Sequence, residues 1–236
     1  MPQPAGGEFL SVLQASLPAG LELATGADAP EGPVHVYVGG NPDADTLAAL
    51  PELHTLIIPY AGLPARTRAL LDRHPQLAVH NLHHNAAPTA EMAVALMLAA
   101  AKCILPFDAA LRRGDWRPRY EPPTARTLAT LRALVLGYGA VGRRVARSCH
   151  ALGMDVEAIR RSPTGEPPAT DGVRVHGPDA LDACLGRADV VHVCLPATEA
   201  TDGLLDARRL ALLPPDAILV NVGRGSIVDE DALYDA

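Results

Sequence analysis

Aromatic side chains and lysine are both scarce in this chain of 236 residues, and their scarcity limits the kinds of partner it can bind. Aromatic residues make up 3% of the sequence and Lys102 is its single lysine. No cluster therefore combines basic side chains for phosphates with rings that stack on bases. The formal net charge of −7 at pH 7 also disfavours a nucleic-acid surface. We therefore expect small-molecule partners and no nucleic acid.

Paired cysteines and long apolar runs are also missing. Cys103, Cys149, Cys184 and Cys194 form no Cys-x-x-Cys pair and have no histidines at matching spacing, so we expect reduced thiols in a cytoplasm, with no disulfide and no metal. The longest uncharged apolar run, residues 92–101, is shorter than the roughly 20 residues that a helix needs to cross a bilayer. The N-terminus shows no basic segment followed by an apolar one, so we expect neither a secretory signal nor a membrane anchor.

Short apolar runs, many of them β-branched, recur along the chain and alternate with helix-like stretches. They cover residues 34–38, 55–60, 77–81, 133–139, 155–159, 189–196 and 217–223. Parallel strands need long crossover connections, so this alternation predicts a parallel sheet covered on both faces. The predicted class is α/β, with a Rossmann-type doubly wound parallel sheet.

The length of the chain favours two domains, since compact domains commonly have about 100 to 150 residues. A long helix predicted over residues 88–105 leads into the segment 112–128, which is rich in Pro and Arg and has no periodicity. Such a segment is typical of the border region between two domains.

A glycine motif, Gly137-x-Gly139-x-x-Gly142, directly follows one predicted strand and directly precedes a helix-like stretch. In this context the first glycine permits a tight turn and the second lets backbone N–H groups approach a pyrophosphate. The third lets the helix pack closely on the strand. The helix N-terminus adds unsatisfied donors and the positive end of the helix dipole. The alternative is that the glycines serve only the turn from strand to helix.

The next predicted strand ends at Arg160 and Arg161, where a dinucleotide fold that selects NAD usually carries an acid for the ribose hydroxyls. Guanidinium groups pair with a 2′-phosphate that an acid would repel, so the sequence predicts NADP over NAD. The alternative is that both arginines are solvated loop residues and that the cofactor is NAD.

Three segments of the second half together resemble the NAD(P)-dependent D-isomer-specific 2-hydroxyacid dehydrogenase family, in that family's order and spacing. LGYGAVGRRVA is similar to its cofactor loop, ADVVHVCLPATEATDGLL to its strand leading into a Pro-Thr turn, and LVNVGRGSIVDEDAL to its active-site arginine signature. In the first half, IIPYAGLP and VHNLHHNAAPTAEMAVALMLA are similar to its substrate loop and inter-domain helix, although Lys102 stands where the family commonly has Arg.

The resemblance implies an oxidoreductase that moves a hydride between NAD(P)H and a 2-oxo or 2-hydroxy acid, similar to glyoxylate and hydroxypyruvate reductases. By this resemblance Arg224 would bind the substrate carboxylate and polarise its carbonyl, a role that suits a planar and permanently charged side chain. Backbone groups of the other domain would hold the carboxylate at Tyr60, Ala61, Gly62 and Leu63. Cofactor contacts are implied for the backbone of Ala140, Val141, Leu195, Val222 and Gly223.

The resemblance also implies a domain division and an incomplete chain. Residues 1–100 would be the N-terminal part of a flavodoxin-like α/β substrate domain, and residues 101–236 a dinucleotide-binding domain truncated at its C-terminal end. In the family a general-acid His and its Glu partner lie downstream of the arginine signature. We therefore expect a C-terminally truncated fragment that lacks both groups and is inactive. His83 or His84 would be the alternative proton donor.

The same sequence patterns are also compatible with other functions. A non-catalytic dinucleotide sensor or corepressor-like protein of the same fold is the main alternative, and formate or phosphite oxidation in the same architecture is another. A downstream Glu and Pro-His segment would favour the enzyme. Because the family commonly dimerises through the cofactor domain and the arm near residues 100–125, the resemblance also implies a homodimer.

Overall fold

A computed structural model describes residues 7–25, 32–63, 65–121, 125–161 and 172–236 of the chain. The chain divides into two compact units, residues 1–82 and 83–236. This border lies about a helix length before the predicted one at residues 100 and 101. The helix between the two borders packs with the second unit.

The first unit is a small parallel sheet with short helices. Strands β1 (Val36–Val38), β2 (Thr55–Ile58) and β3 (Ala78–Asn81) pair in the order β1-β2-β3, and the helices are α1 (Gly7–Ser16), α2 (Ala44–Ala48) and α3 (Ala65–Leu71). The central strand β2 buries Leu56 and Ile58 completely. Parallel pairing brings the carboxyl ends of the strands to one edge, and the loop that follows β2 lies there.

The second unit is a five-stranded sheet, all parallel, in the order β6-β5-β4-β7-β8. Its strands are β4 (Arg132–Leu136), β5 (Asp155–Ile159), β6 (Val173–His176), β7 (Val190–Val193) and β8 (Ile218–Asn221). Its helices are α4 (Ala86–Ala101), α5 (Ile104–Leu111), α6 (Ala140–Ala151), α7 (Leu181–Leu185), α8 (Ala207–Leu210) and α9 (Glu230–Asp235). The chain runs outward from β4 to β5 on one side and later resumes on the other side at β7, which creates a topological switch point.

Both faces of this sheet are buried, which confirms the predicted doubly wound arrangement. Ala133 and Val135 of β4 face a core shared with α4 and α6, whereas Leu134 and Leu136 face a second core that includes Leu185 of α7. Successive side chains of a strand point to opposite faces, so a strand covered on both sides is apolar throughout, as β4 is from Ala133 onward.

The predicted single helix over residues 88–105 is wrong, because the helix breaks near Cys103. Cys103 adopts a left-handed conformation with φ of 52°, which ends α4 and redirects the chain into α5. Within the described residues, no single helix has the length and apolar composition to cross a membrane. Helices α4 and α5 have the required length and apolar composition only when they are counted together, across a 60° bend.

The position of α4 accounts for the border after Leu82. Its buried side chains are Ala86, Ala90, Ala93, Met97 and Ala101, and all but the first belong to the core of the second unit. Four of these five are alanines, which allow the backbones of α4 and α6 to approach each other closely. This helix therefore packs as part of the second unit, while the assignment of residues 1–100 to a substrate domain stays a prediction.

Candidate cofactor and substrate site

The three glycines of the motif occupy three different environments. Gly137 has φ of +95°, and a Cβ there would lie 2.9 Å from the carbonyl oxygen of Cys194. A Cβ at Gly142 would collide with the carbonyl oxygen of Gly137, so the third glycine lets α6 approach the turn. At Gly139, in contrast, no atom lies within 4 Å of the position that a Cβ would take. Neighbouring atoms therefore leave no room for a side chain at the first and third glycines, whereas the second glycine faces open space.

The open side of the turn carries hydrogen-bond donors. Gly139 is the N-cap of α6 and makes no side-chain cap, and the amide of Arg143 is the first to bond back into the turn, to the Gly139 carbonyl at 3.0 Å. In the part of the chain that the structure describes, the amides of Gly139, Ala140 and Val141 donate to no backbone carbonyl. Unpaired amides at the N-terminus of a 12-residue helix, beside open space, fit a pyrophosphate.

The ends of β4, β7 and β8 meet at this turn. Besides Cys194, a Cβ at Gly137 would lie 3.0 Å from Leu195 Cδ2, and one at Gly223 would lie 2.7 Å from the Leu195 carbonyl oxygen. The amide of Val222 donates to the carbonyl of Val193 at 3.1 Å, which holds β8 level with β7. The predicted cofactor residues that follow these three strands are therefore brought together at the carboxyl edge, where open α/β sheets bind ligands.

The end of β5 is joined to the same edge. The carbonyl of Ile159 accepts from the amide of Gly137 at 3.0 Å, and the amide of Arg160 donates to the carbonyl of His176 at 2.9 Å. Arg161 is exposed, and neither arginine forms an ion pair with an acid within the described residues. Two arginines thus follow β5 without an acid partner among the residues that the structure describes.

The acid nearest to this end of β5 in sequence, Glu157, is occupied elsewhere. Arg187 donates to it through Nε and Nη2, both at 2.8 Å, and His176 Nε2 lies 2.9 Å from Glu157 Oε1. The hydrogen bonds from Arg187 outweigh the effect of burial and hold the pKa of Glu157 at about 2. Glu157 is therefore not available to the ribose hydroxyls of a dinucleotide.

Glu157 also belongs to a group of three side chains that are close enough to one another to hold a metal ion. Ligand atoms of Glu157, His176 and Cys184 lie within 4.8 Å of one another. Arg187 Nη2 is 3.2 Å from Cys184 Sγ, and Arg174 Nε is 3.7 Å from Glu157 Oε1. Guanidinium groups thus already supply the positive charge that a metal ion would bring, and we assign no metal here.

Arg224 follows β8 on a turn that a side chain braces from within. Asn221 accepts a hydrogen bond from the Gly223 amide through Oδ1 and donates through Nδ2 to the Arg224 carbonyl, both at 2.9 Å. Arg224 is exposed, and its Nη1 donates to the Gly223 carbonyl at 2.8 Å. Sequence reasoning missed Asn221, although an amide side chain beside a Gly-rich turn is a recognised turn-forming signal.

A second segment supports the far side of this turn. The amide of Gly203 donates to the Ser226 carbonyl at 2.7 Å, and the amide of Leu205 donates to the Ile227 carbonyl at 2.9 Å. Leu205 and Ile227 are both fully buried. The arginine turn is thus held by backbone bonds and a packed core, which leaves the guanidinium as its exposed part.

In the first unit, the predicted substrate residues form the loop after β2. Gly62 has φ of +88°, and the loop is half-buried at Ala61, Gly62 and Leu63. Tyr60 packs over Gly40, where a Cβ would collide with its hydroxyl oxygen. Across residues 32–63 and 65–82, no backbone carbonyl accepts from the amides of residues 60–63. Within this described part of the unit, the loop therefore has amide donors without a backbone acceptor.

The histidines considered as substitute acids lie at the start of the second unit. His83 and His84 are both exposed, and the His83 carbonyl accepts from the Ala86 amide at 3.0 Å where α4 begins. No described carboxylate contacts either imidazole to orient it or to stabilise its charged form. Their surroundings are those of surface histidines.

A parallel sheet with a switch point, an open glycine turn and free amides at a helix N-terminus defines a dinucleotide-binding domain. Residues 94–236 match the family profile described as the D-isomer specific 2-hydroxyacid dehydrogenase, NAD binding domain. The chain belongs to the D-isomer specific 2-hydroxyacid dehydrogenase family, and the resemblance noted in the sequence is confirmed.

Curated relatives agree with this assignment. The glycerate dehydrogenase of Methylorubrum extorquens is 32% identical over 198 residues, which cover 82% of this chain and 59% of that protein. The D-3-phosphoglycerate dehydrogenase of Mycobacterium bovis is 36% identical over 194 residues, which cover 82% of this chain and 36% of that protein. The chain spans less than two thirds of the length of these relatives.

Solved structures share the fold. A D-isomer specific 2-hydroxyacid dehydrogenase from Xanthobacter autotrophicus Py2, in complex with NADPH and MES, has a TM-score of 0.80 and 34% identity, and covers 100% of this chain and 74% of its own. The D-lactate dehydrogenase of Aquifex aeolicus, in complex with NAD and lactic acid, has a TM-score of 0.72, covers 86% of this chain and 60% of its own, and at 23% identity supports the fold alone. Both nicotinamide dinucleotides thus occur in structures of this fold.

Proposed function

We propose that this protein is an NAD(P)-dependent oxidoreductase that interconverts a 2-oxo acid and a 2-hydroxy acid. The observation that carries the proposal is Arg224, exposed on a braced turn at the carboxyl edge of a dinucleotide-binding sheet in a member of this family. The similarity to a glycerate dehydrogenase favours a short 2-oxo acid such as glyoxylate or hydroxypyruvate.

The residues of the second unit have distinct tasks in this proposal. The nicotinamide cofactor supplies or accepts the hydride when bound, and the amides of Ala140 and Val141 hold its pyrophosphate. Arg224 binds the substrate carboxylate and polarises the carbonyl, which gains negative charge during reduction. The bond that Asn221 donates to the Arg224 carbonyl and the bond that it accepts from the Gly223 amide keep the turn in place, so little reorganisation is needed as the charge develops.

The loop of the first unit is proposed as a second holder of the carboxylate. Tyr60, Ala61, Gly62 and Leu63 have amides that pair with no backbone carbonyl in the described part of their unit. Unpaired backbone N–H groups of a loop are suitable donors for a carboxylate. Their contribution is to orient the substrate, which matters because small misplacements of reacting groups are costly.

NADP is the proposed preference over NAD. Arg160 and Arg161 stand at the end of β5 without acid partners among the described residues, and Glu157 is neutralised by Arg187. A well-formed charge-assisted contact contributes about 1.5–3 kcal/mol, so each arginine would favour NADP by about tenfold or more.

A homodimer and a cytoplasmic location are proposed as well. Leu105 of α5 and Trp116 of the following segment are exposed and offer an apolar surface to a second copy. All four cysteines are free, which fits a reducing compartment.

Turnover by this chain, extended with the segment that follows the arginine signature in a family member, tests the proposed function. NADPH oxidation would be followed with glyoxylate and hydroxypyruvate for the parent, Arg224→Gln and Arg224→Lys. Loss of the charged fork should lower kcat/KM by about 100-fold or more in Arg224→Gln, with partial activity in Arg224→Lys. Arg208→Gln, which removes a surface ion pair with Asp182, is the matched control. Equal turnover by Arg224→Gln and the parent would contradict the assignment.

A further inference from the structure

The side chain of His176 connects the buried acid of β5 to the edge of the sheet. His176 is the last residue of β6, and its Nε2 lies 2.9 Å from Glu157 Oε1. The two strands run parallel with Ile159 opposite His176, so His176 and Glu157 lie on the same face, two residues apart along the sheet. His176 therefore stands at the level where β5 leaves the sheet.

The main chain of His176 holds the residue implicated in cofactor choice. Its carbonyl accepts the hydrogen bond from the Arg160 amide at 2.9 Å, one residue beyond the end of β5. One residue thus makes two connections in different directions, with its imidazole bound to Glu157 and its carbonyl bound to Arg160. A shift of His176 would move the hydrogen-bond partner of Arg160.

The place of β6 in the sheet gives this anchor a structural role. Among the described strands, β6 lies at the edge and pairs only with β5, over four residues. The end of a short edge strand has ladder bonds on one side only, so a side-chain anchor adds a restraint that the ladder does not supply.

The acceptor of the anchor is itself rigidly held. Glu157 is 5% exposed and accepts two hydrogen bonds from Arg187, whose Nη1 also donates to the Ala183 carbonyl at 2.7 Å. The acid is thus tied to α7 as well as to the sheet. The hydrogen bonds from Arg187 keep the pKa of Glu157 near 2, so the acceptor is ionised at neutral pH.

We propose that His176, anchored on Glu157, is a positioning residue for cofactor selection. It fixes the backbone of Arg160 at the carboxyl edge so that the guanidinium groups of Arg160 and Arg161 meet the phosphate of a 2′-phosphorylated adenosine. This inference rests on the NADP preference proposed above and names the device that makes the two arginines effective. His176 acts through Arg160, and contact between its imidazole and the phosphate is not required.

The test compares two adenosine ligands that differ by the 2′-phosphate and contain no nicotinamide. Dissociation constants of 2′,5′-ADP and 5′-ADP would be measured by calorimetry for the parent chain, His176→Leu and His176→Gln. His176→Leu removes the donor to Glu157, while His176→Gln retains an N–H donor. Arg208→Ala serves as the control, because it removes an ion pair of 2.7 Å on α8 that has no link to Arg160.

The inference predicts a selective and recoverable effect. His176→Leu should weaken 2′,5′-ADP by about three- to tenfold, the range of one hydrogen bond, with 5′-ADP unchanged within about twofold. His176→Gln should restore most of the loss, and Arg208→Ala should change neither ligand. Unchanged 2′,5′-ADP binding in His176→Leu, or an equal loss for both ligands, would overturn the inference while leaving NADP preference intact. Equal binding of both ligands by the parent would overturn the NADP preference and this inference with it.

Discussion

At the scale of single residues, the three glycines of the cofactor turn differ in what a side chain would meet. Gly142 faces the carbonyl oxygen of Gly137, which is backbone and cannot move aside as a flexible side chain does. Gly139 faces open space with φ of −92°, a conformation that any residue can adopt. Glycine is therefore required for packing at position 142, whereas at position 139 we expect it to be required for access of the ligand.

Substitutions at these two glycines should separate stability from cofactor binding. Gly142→Ala should lower the free energy of unfolding by about 1–3 kcal/mol or more, because the added Cβ overpacks the turn. Gly139→Val should change it by no more than about 0.5 kcal/mol while abolishing measurable binding of NADP and NAD. Urea unfolding and calorimetric titration would measure both quantities, with Gly32→Val as a control at another open position. Parental cofactor affinity in Gly139→Val would rule out the phosphate cradle.

His192 offers a different residue-scale test, on the pH dependence of stability. It is fully buried on β7, its Nδ1 has no hydrogen-bond partner in the described structure, and burial lowers its pKa from 6.5 to about 4. A lowered pKa means that the folded state binds fewer protons than the unfolded state. The stability due to the neutral imidazole is therefore present above pH 6.5 and is lost as the pH falls toward 4.

Replacement of His192 by leucine should remove this acid sensitivity. Between pH 7 and pH 5 the parent should lose on the order of 2 kcal/mol of unfolding free energy through this group, and His192→Leu should lose correspondingly less. Urea unfolding at both pH values, followed by the fluorescence of the single tryptophan, Trp116, measures the difference. His84→Leu, at an exposed position, should behave as the parent does. The same pH dependence in the parent and in His192→Leu would exclude His192 as the source.

At the scale of elements, helix α4 packs within the compact unit that contains the cofactor turn. Its alternation of buried and exposed positions places Met97 in the core with α6, and Met92 in solvent. The break at Cys103 then turns the chain into α5, whose large apolar side chains Ile104, Leu105 and Leu111 remain exposed. The helix therefore stabilises the cofactor domain, and the segment after it supplies an apolar surface.

Two methionines on this helix provide a matched test of that role. Met97→Ala should lower the unfolding free energy of the cofactor domain by about 2–5 kcal/mol, since it leaves a cavity at a site with 0% exposure. Met92→Ala, at 58% exposure on the same helix, should change it by no more than about 0.5 kcal/mol. Denaturant unfolding monitored at Trp116 reports on this unit. Equal effects of the two substitutions would show that α4 does not pack as described.

Strand β6 is not among the strands predicted from the sequence. Its four residues, VRVH, include an arginine and a histidine and are half-buried or exposed, so the apolar pattern of the central strands is missing. It is a strand because β5 offers it hydrogen bonds and because Arg174 and His176 find partners on β5. The predicted strands at β4, β5, β7 and β8 were visible because burial on both faces demands an uninterrupted apolar run.

At the scale of the whole molecule, catalysis needs a proton donor as well as Arg224. By the resemblance, the Glu and His that supply it lie downstream of the arginine signature, and general-acid catalysis typically contributes about 10²–10⁴-fold. We therefore expect residues 1–236 by themselves to reduce glyoxylate and hydroxypyruvate at least about 100-fold more slowly than a version extended with the segment that follows the arginine signature in a family member. Steady-state NADPH oxidation by the two forms makes the comparison.

The histidines of the chain itself supply the control for this expectation. His83→Ala and His84→Ala should leave the turnover of the longer form within about twofold, since both imidazoles are exposed and lack an orienting carboxylate among the described residues. Turnover by the short form within about tenfold of the long form, abolished by either substitution, would make that histidine the donor.

Local patterns in the sequence were sufficient to predict the class of fold and the family of the chain. Its apolar runs, the spacing of Gly137, Gly139 and Gly142, and the Arg224 signature are local patterns, and each reflects a constraint on a few consecutive residues. Tertiary structure alone decided which partners support those patterns. Glu157 meets His176 and Arg187, which lie 19 and 30 residues away, and these pairings depend on strand order and register. Such pairings depend on the folded sheet because hydrogen bonds and packing act at distances of a few ångströms, which sequence separation does not reveal.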